Sequence, residues 1–140
     1  MSDDLAQRII DTIKENEGLK LKAYTCTEGK ITIGYGRNLE GRGITQEEAD
    51  YLFENDIERL TDSFMSSDIL SEWPEVNIVL FDMAYQMGLA GLMKFKNMLA
   101  AIKVQDYNLA AHELLDSKYA KQTPGRAQRN AQLLRNITPN

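Results

Sequence analysis

The chain has 140 residues, of which 43% are apolar and 26% charged, and its formal net charge is −5. This length fits one domain or two small lobes, and the composition excludes disordered and fibrous proteins. No run approaches the ~20 apolar residues of a membrane span, and the N-terminus lacks the basic-then-apolar pattern of a secretory signal. The single cysteine and single histidine, Cys26 and His112, exclude an internal disulfide and any multi-cysteine or His-rich metal site.

The first segment is predicted to be a helix that ends at a glycine. Ser2 is the predicted N-cap, acidic residues fill the first turn, and Gly18 stops the helix. Glu17 lies one turn beyond the apolar stripe on the same side, where burial would favour the protonated form of a carboxyl group. A general acid needs such a proton, but the pattern leaves open whether Glu17 is an acid of this kind or a solvated glutamate. The stripe consists of Leu5, Ile9, Ile10 and Ile13.

The next segment changes to the period of a β-strand. Apolar and polar residues alternate over 19–23 and again over 31–35, with the turn signal TEGK between them, so we expect a small antiparallel hairpin. Cys26 and Thr32 are six positions apart, and they share a face only if the turn keeps the register. Their thiol and hydroxyl groups could hold a water molecule opposite Glu17, or they could be ordinary strand residues.

The rest of the chain is predicted to be helical. Thr45 and Glu48 form a capping box, which opens a helix of about 20 residues that could join two lobes. From Pro74 onward the segments are helical, and an apolar run there is expected to be the buried centre of a second lobe. Thr123 is the predicted N-cap of the last helix, with Pro124 at its first position. The predicted fold class is therefore α+β, mostly α.

Glu17, Cys26 and Thr32 are separated by eight and by five residues within the segment EGLKLKAYTCTEGKITIGYGR. This spacing and the residues around it resemble the catalytic signature of the T4-type phage lysozymes, glycoside hydrolase family 24. YQMG at 85–88 and SKYAKQTPGRA at 117–127 also match that family in the right order, so the resemblance covers essentially the whole chain.

The resemblance implies an endolysin that cleaves the β-1,4 bond between N-acetylmuramic acid and N-acetylglucosamine in peptidoglycan. It also implies a lysozyme-like fold of two lobes, with the substrate in the cleft between them. The N-terminal lobe, about 14–60, would contain the small antiparallel sheet. A long helix would join it to a helical C-terminal lobe, about 66–140, on which helix 3–15 packs.

By the same resemblance, Glu17 protonates the leaving oxygen, while Cys26 and Thr32 orient a water molecule on the opposite face of the sugar and so give inversion. Arg126 would pair with Glu17, and Glu28 would face Lys118 across the mouth of the cleft. No metal or other cofactor is expected. The expected substrate-binding residues are Glu28, Gly36, Gln86, Lys118, Gln122, Thr123 and Arg126.

The chain departs from the family pattern at two positions. Cys26 stands where Asp is commonest, and a thiol with an ordinary pKa of about 8.5 is a poor base at neutral pH. The family tolerates Cys there, so we expect a working enzyme whose rate depends on the thiolate fraction. Arg37 stands where the family usually has His, which leaves open whether an ion pair forms at that place.

Two other functions are compatible with these residues: a lytic transglycosylase on the same substrate, and a catalytically dead protein of the same fold that binds the cell wall. The expected partner is peptidoglycan, with no nucleic acid, no stable membrane association and a monomeric chain. We expect accumulation in the host cytoplasm and release by a holin. Although the net charge is negative, residues from Ser117 onward include five basic and no acidic residues, which suits an anionic polymer.

Overall fold

Seven helices and three strands make up residues 1–139, the part of the chain that our computed structural model describes. The strands form one antiparallel sheet in the order of the sequence. The prediction of an α+β fold, mostly helical with a small antiparallel sheet, is therefore confirmed. In chain order the elements are α1 (Asp3–Glu17), β1 (Lys20–Thr25), β2 (Ile31–Gly34), β3 (Arg37–Asn38), α2 (Gln46–Met65), α3 (Pro74–Leu92), α4 (Lys96–Lys103), α5 (Tyr107–Leu115), α6 (Lys118–Gln122) and α7 (Pro124–Arg135).

Contacts within the chain divide it into a first unit, Met1–Leu52, and a second unit, Phe53–Asn140. The boundary falls within α2, the long helix that the capping box predicts, and α1 belongs to the first unit together with the sheet. Asn140, the last residue of the predicted C-terminal lobe, lies outside the described residues. The packing of helix 3–15 on that lobe stays a prediction.

Caps define both ends of α1. The Ser2 Oγ accepts a hydrogen bond from the Leu5 N–H at 3.2 Å. Gly18 ends the helix with a left-handed φ of 72°, and its N–H donates to the Lys14 carbonyl at 2.8 Å. No residue of α1 is buried, and the four members of its apolar stripe are 41% to 52% exposed: Leu5, Ile9, Ile10 and Ile13.

The hairpin of β1 and β2 orders the rest of the first unit. It pairs Thr32 with Tyr24, and two backbone hydrogen bonds of 2.9 Å close its turn, from Cys26 N to Lys30 O and from Gly29 N to Cys26 O. Thr32, which is 3% exposed, is the single buried residue in the range 1–52. The first unit therefore has no apolar core within its own residues.

The second unit contains the hydrophobic core. All twenty buried apolar side chains among the described residues lie between Phe64 and Ile137. α3 supplies six of them, as its apolar sequence predicts, and α5 packs against both α4 and α7. Phe64 of α2 stacks on Phe81 of α3 with ring centroids 4.2 Å apart, which joins the end of the long helix to this core.

Two local features of the second unit interrupt its helices. Within the bounds of α3, the backbone at Gly88 is not helical, with a φ of 77° and a ψ of 160°, so that two helical segments meet there at a kink. Thr123 does occupy the N-cap position of α7, but its hydroxyl donates to the Tyr119 carbonyl at 3.0 Å and makes no capping hydrogen bond. The hydroxyl thus secures the end of α6 instead of the start of α7.

Among the described residues, no single helix is both long and apolar enough to cross a bilayer. The pair α3 and α4, bent by 108°, meets that criterion together, by length and composition alone.

Candidate active site

Glu17 lies directly over the backbone of Gly36. It is the last residue of α1, its side chain is exposed, and it has no hydrogen-bond partner among residues 1–139. A methyl group added at Gly36 would lie 2.8 Å from the Glu17 Cδ, closer than real side chains approach. Gly36 also has a φ of 71°, a backbone angle that residues with a side chain rarely adopt. The first unit therefore fits the Glu17 carboxyl group against a glycine that cannot be replaced without moving it.

The exposure of Glu17 differs from what its place beside the apolar stripe suggests. A carboxyl group on that side of α1 would be desolvated if the stripe were buried, but the stripe itself is largely exposed. Residues of the first unit therefore do not supply the desolvation that the helical pattern predicts for Glu17.

Cys26 and Thr32 are brought together by the turn of the hairpin. The backbone N–H of Lys30 is the main cause that holds the pKa of the Cys26 thiol below its ordinary value. The Thr32 hydroxyl and the backbone N–H of Glu28 add to this effect, while burial and the Glu28 charge oppose it. Hydrogen bonds thus favour the thiolate form of Cys26. The expectation that the rate depends on the thiolate fraction stays a prediction.

The Thr32 hydroxyl donates to the Lys30 carbonyl at 2.9 Å. The same hydroxyl contributes to the lowered pKa of the Cys26 thiol. No hydrogen bond joins Glu17 to either residue in the described chain.

Arg37 forms the ion pair that the sequence left open. Its guanidinium contacts both oxygens of Glu48, at 2.9 and 2.8 Å, and donates to the Gly43 carbonyl at 3.2 Å. Glu48 also forms the predicted capping box with Thr45. The Arg37 hydrogen bond, helped by the Thr45 backbone N–H, lowers the pKa of Glu48 to about 2. This pair links β3 to the first turn of α2.

A hollow of about 910 Å³ lies beside this ion pair in the first unit. Its lining includes Tyr35, Gly36 and Arg37, together with apolar side chains of β2 and of the start of α2, but none of Glu17, Cys26 and Thr32. The hollow therefore borders Gly36, on which Glu17 lies, but the three predicted catalytic residues are not part of its lining.

In the second unit, Arg126 is held by a residue that the sequence reasoning missed. The Asp82 carboxylate accepts hydrogen bonds from the Arg126 Nε at 2.7 Å and from the Arg126 Nη2 at 2.8 Å. The backbone carbonyl of Asp82 accepts a third hydrogen bond from the same Nη2 at 2.9 Å. Asn130 links Asp82 to the Tyr119 hydroxyl. The Arg126 hydrogen bonds lower the pKa of Asp82 despite its partial burial, and Asp82 in turn raises the pKa of Arg126.

The sequence around Asp82 does indicate that this residue has a charged or polar partner. Asp82 is the single charged residue in the predominantly apolar stretch VNIVLFDMAYQMG, and an acid in such a stretch requires a partner. The partner lies 44 residues away, so the local pattern could not identify it. The predicted pairing of Arg126 with Glu17 stays a prediction.

The remaining predicted binding residues of the second unit lie on two elements. Gln86 is exposed on α3, just before the kink at Gly88. Lys118 and Gln122 are exposed at the two ends of α6, and Thr123 and Arg126 follow within the next turn. Within residues 1–139 no group of three or more His, Cys, Asp or Glu side chains is arranged to hold a metal ion.

Glu17 ends α1, and the hairpin that carries Cys26 and Thr32 follows it in the chain. Comparison with known families identifies the class of protein, since the profile of the phage lysozyme family matches residues 14–133. The chain belongs to the phage lysozyme family. The predicted family and enzyme class are therefore confirmed.

Individual relatives agree with this assignment. The chain is 33% identical over 157 aligned residues to the pre-baseplate central spike protein Gp5 of Enterobacteria phage T4, covering 91% of this chain but only 27% of that protein. It is 30% identical to probable T4-type lysozyme 1 of Dictyostelium discoideum, covering 89% of this chain and 92% of the relative. It is also 30% identical to an endolysin of Acyrthosiphon pisum secondary endosymbiont phage 1, with coverage of 84% and 82%.

Proposed function

We propose that the protein is an endolysin that hydrolyses the β-1,4 bond between N-acetylmuramic acid and N-acetylglucosamine in peptidoglycan. The observation that supports it most is the geometry of the first unit, where Glu17 rests on Gly36 and Cys26 meets Thr32 in the hairpin turn. The endolysin and lysozyme names of the relatives support the substrate and the biological role.

In this mechanism, Glu17 transfers its proton to the glycosidic oxygen as the bond from that oxygen to C1 of N-acetylmuramic acid breaks. Water attacks C1 from the opposite face, oriented by Cys26 and Thr32. The Cys26 thiolate takes one proton of that water, and the sugar is released with inverted configuration. The hydrogen bonds that favour the thiolate support this role for Cys26, because only the ionised sulfur can accept the proton.

Binding of the glycan is assigned to both units. In the first unit, Gly36 lies under the carboxyl group of Glu17, and Glu28 lies in the hairpin turn beside Cys26. In the second unit the candidates are Gln86, Lys118, Gln122, Thr123 and Arg126. We further propose that the chain acts as a monomer, accumulates in the host cytoplasm and reaches the wall after a holin permeabilises the membrane.

Purified peptidoglycan digested with the wild-type protein, followed by mass analysis of the new chain ends, tests the proposal. We expect reducing N-acetylmuramic acid ends, and we expect none with Glu17→Gln, because that variant has no proton to donate. Anhydro-muramic ends would establish a lytic transglycosylase instead. Binding of peptidoglycan without any new ends from the wild type would establish a cell-wall-binding protein.

A further inference from the structure

The turn between β2 and β3 contacts α1 at two neighbouring positions. The Lys14 Nζ lies over the ring of Tyr35, 5.1 Å from its centroid. The next residue, Gly36, lies under the carboxyl group of Glu17. Lys14 and Glu17 are three residues apart on α1 and therefore project from the same face of the helix. Two adjacent residues of the turn thus meet two side chains one helical turn apart.

The other side of this turn is anchored to α2. Arg37, which follows Gly36, is held by two contacts to Glu48 and by the carbonyl of Gly43. The position of the turn is therefore fixed independently of α1. A contact from α1 to this turn fixes the end of α1 relative to the rest of the first unit.

Glu17 needs such a support, because no hydrogen bond in the described chain orients it. It is the last residue of its helix, it is exposed, and it makes no hydrogen bond to any described residue. Helix ends open more easily than helix centres. A general acid must nevertheless stay within hydrogen-bond reach of the oxygen that it protonates, since a displacement of about 1 Å costs about 100-fold in rate.

We propose that Lys14 and Tyr35 are positioning residues for Glu17: their cation–π contact holds the last turn of α1 on the β2–β3 turn, so that the carboxyl group stays over Gly36. This inference rests on the proposed role of Glu17 as the acid. It assigns no contact with substrate to Lys14 or Tyr35. The contact depends on a cation and an aromatic ring, not on the Tyr35 hydroxyl.

The test measures kcat and KM for peptidoglycan hydrolysis in five variants. Lys14→Gln removes the cation and Tyr35→Leu removes the ring. We expect each to lower kcat about three- to fivefold, the range that loss of an exposed cation–π contact allows, with KM changed less than about twofold. Lys14→Arg and Tyr35→Phe keep the contact and should retain wild-type kcat within about twofold. Lys22→Gln removes an exposed lysine of β1 and should leave both constants unchanged. Circular dichroism confirms that each variant is folded.

Unchanged kcat in Lys14→Gln and Tyr35→Leu would overturn the proposal. A rise in KM with unchanged kcat would also overturn it, since that result assigns the two residues to substrate binding. So would an equal loss in Tyr35→Phe, because it would transfer the effect to the hydroxyl group. Glu17→Gln, assayed in parallel, separates this inference from the proposed function: if that variant is fully active, Glu17 is not the acid and the function itself fails.

Discussion

The seat of Glu17 depends on the absence of a side chain at Gly36, and the chain contains a matched control for this claim. Gly34 and Gly36 both have a φ of 71°, but only Gly36 lies against Glu17, since nothing is within 4 Å of the Gly34 methyl position. Alanine at either position therefore introduces the same backbone strain, of about 1–3 kcal/mol. Alanine at 36 in addition displaces the carboxyl group.

We therefore expect Gly36→Ala to lower kcat by about 100-fold and Gly34→Ala to leave it within about threefold, although both variants lose similar thermal stability. Hydrolysis kinetics and thermal unfolding of the two variants provide the measurement. Equal losses of kcat in both would show that backbone strain, and not contact with Glu17, governs activity.

Cys26 gives a pH dependence at the same scale. Hydrogen bonds lower the pKa of its thiol, so the thiolate forms at a lower pH than in a free cysteine, and its fraction rises as the pH rises through that pKa. Cys26→Asp is already ionised at neutral pH and should equal or exceed the wild type there. The ratio of wild-type activity to that of Cys26→Asp should therefore rise from pH 5 to pH 9. Cys26→Ala should be slower than both, and full activity in this variant would remove Cys26 from the mechanism.

At the scale of elements, the Arg37–Glu48 pair joins β3 to α2 and should stabilise the fold over a defined pH range. In the folded protein the pKa of Glu48 is about 2, below its ordinary value of 4.5. The pair therefore stabilises the fold above pH 4.5, and this stabilisation is lost as the pH falls toward 2. Because arginine replaces the family's usual histidine, the pair does not titrate near neutral pH.

Glu48→Gln tests this anchor, since glutamine preserves the capping box with Thr45 but removes the charge. We expect the variant to be less stable than the wild type between pH 5 and pH 8, with the two free energies of unfolding converging as the pH falls to 2. Urea unfolding across that range measures the difference. A gap that stays constant down to pH 2 would show that the ion pair does not stabilise the fold.

At the scale of the whole molecule, local patterns predicted most elements but few of the contacts between them. The Ser2 cap, the hairpin turn and the Thr45 capping box depend on residues close in sequence, and each formed as expected. The pairing of Asp82 with Arg126 spans 44 residues, and no periodicity encodes it.

The candidate site shows the same division. The spacing of Glu17, Cys26 and Thr32 was sufficient to identify the family, because its signature is local in sequence. The support of Glu17 by Gly36 joins two elements, and the donors around Cys26 come from backbone groups of a turn. Backbone groups carry no sequence signal, so the lowered pKa of Cys26 could be found only from the structure.

The most direct test of the central claim, that Glu17 is the general acid, compares Glu17→Gln with Glu15→Gln on purified peptidoglycan. Both changes remove one carboxylate from the last turns of α1, but Glu15 has no contact with Gly36 and projects from a different face of the helix. The release rate of reducing N-acetylmuramic acid ends should fall by about 1,000-fold in Glu17→Gln and stay within about twofold in Glu15→Gln. A Glu17→Gln variant that releases these ends at more than about a tenth of the wild-type rate would contradict the account.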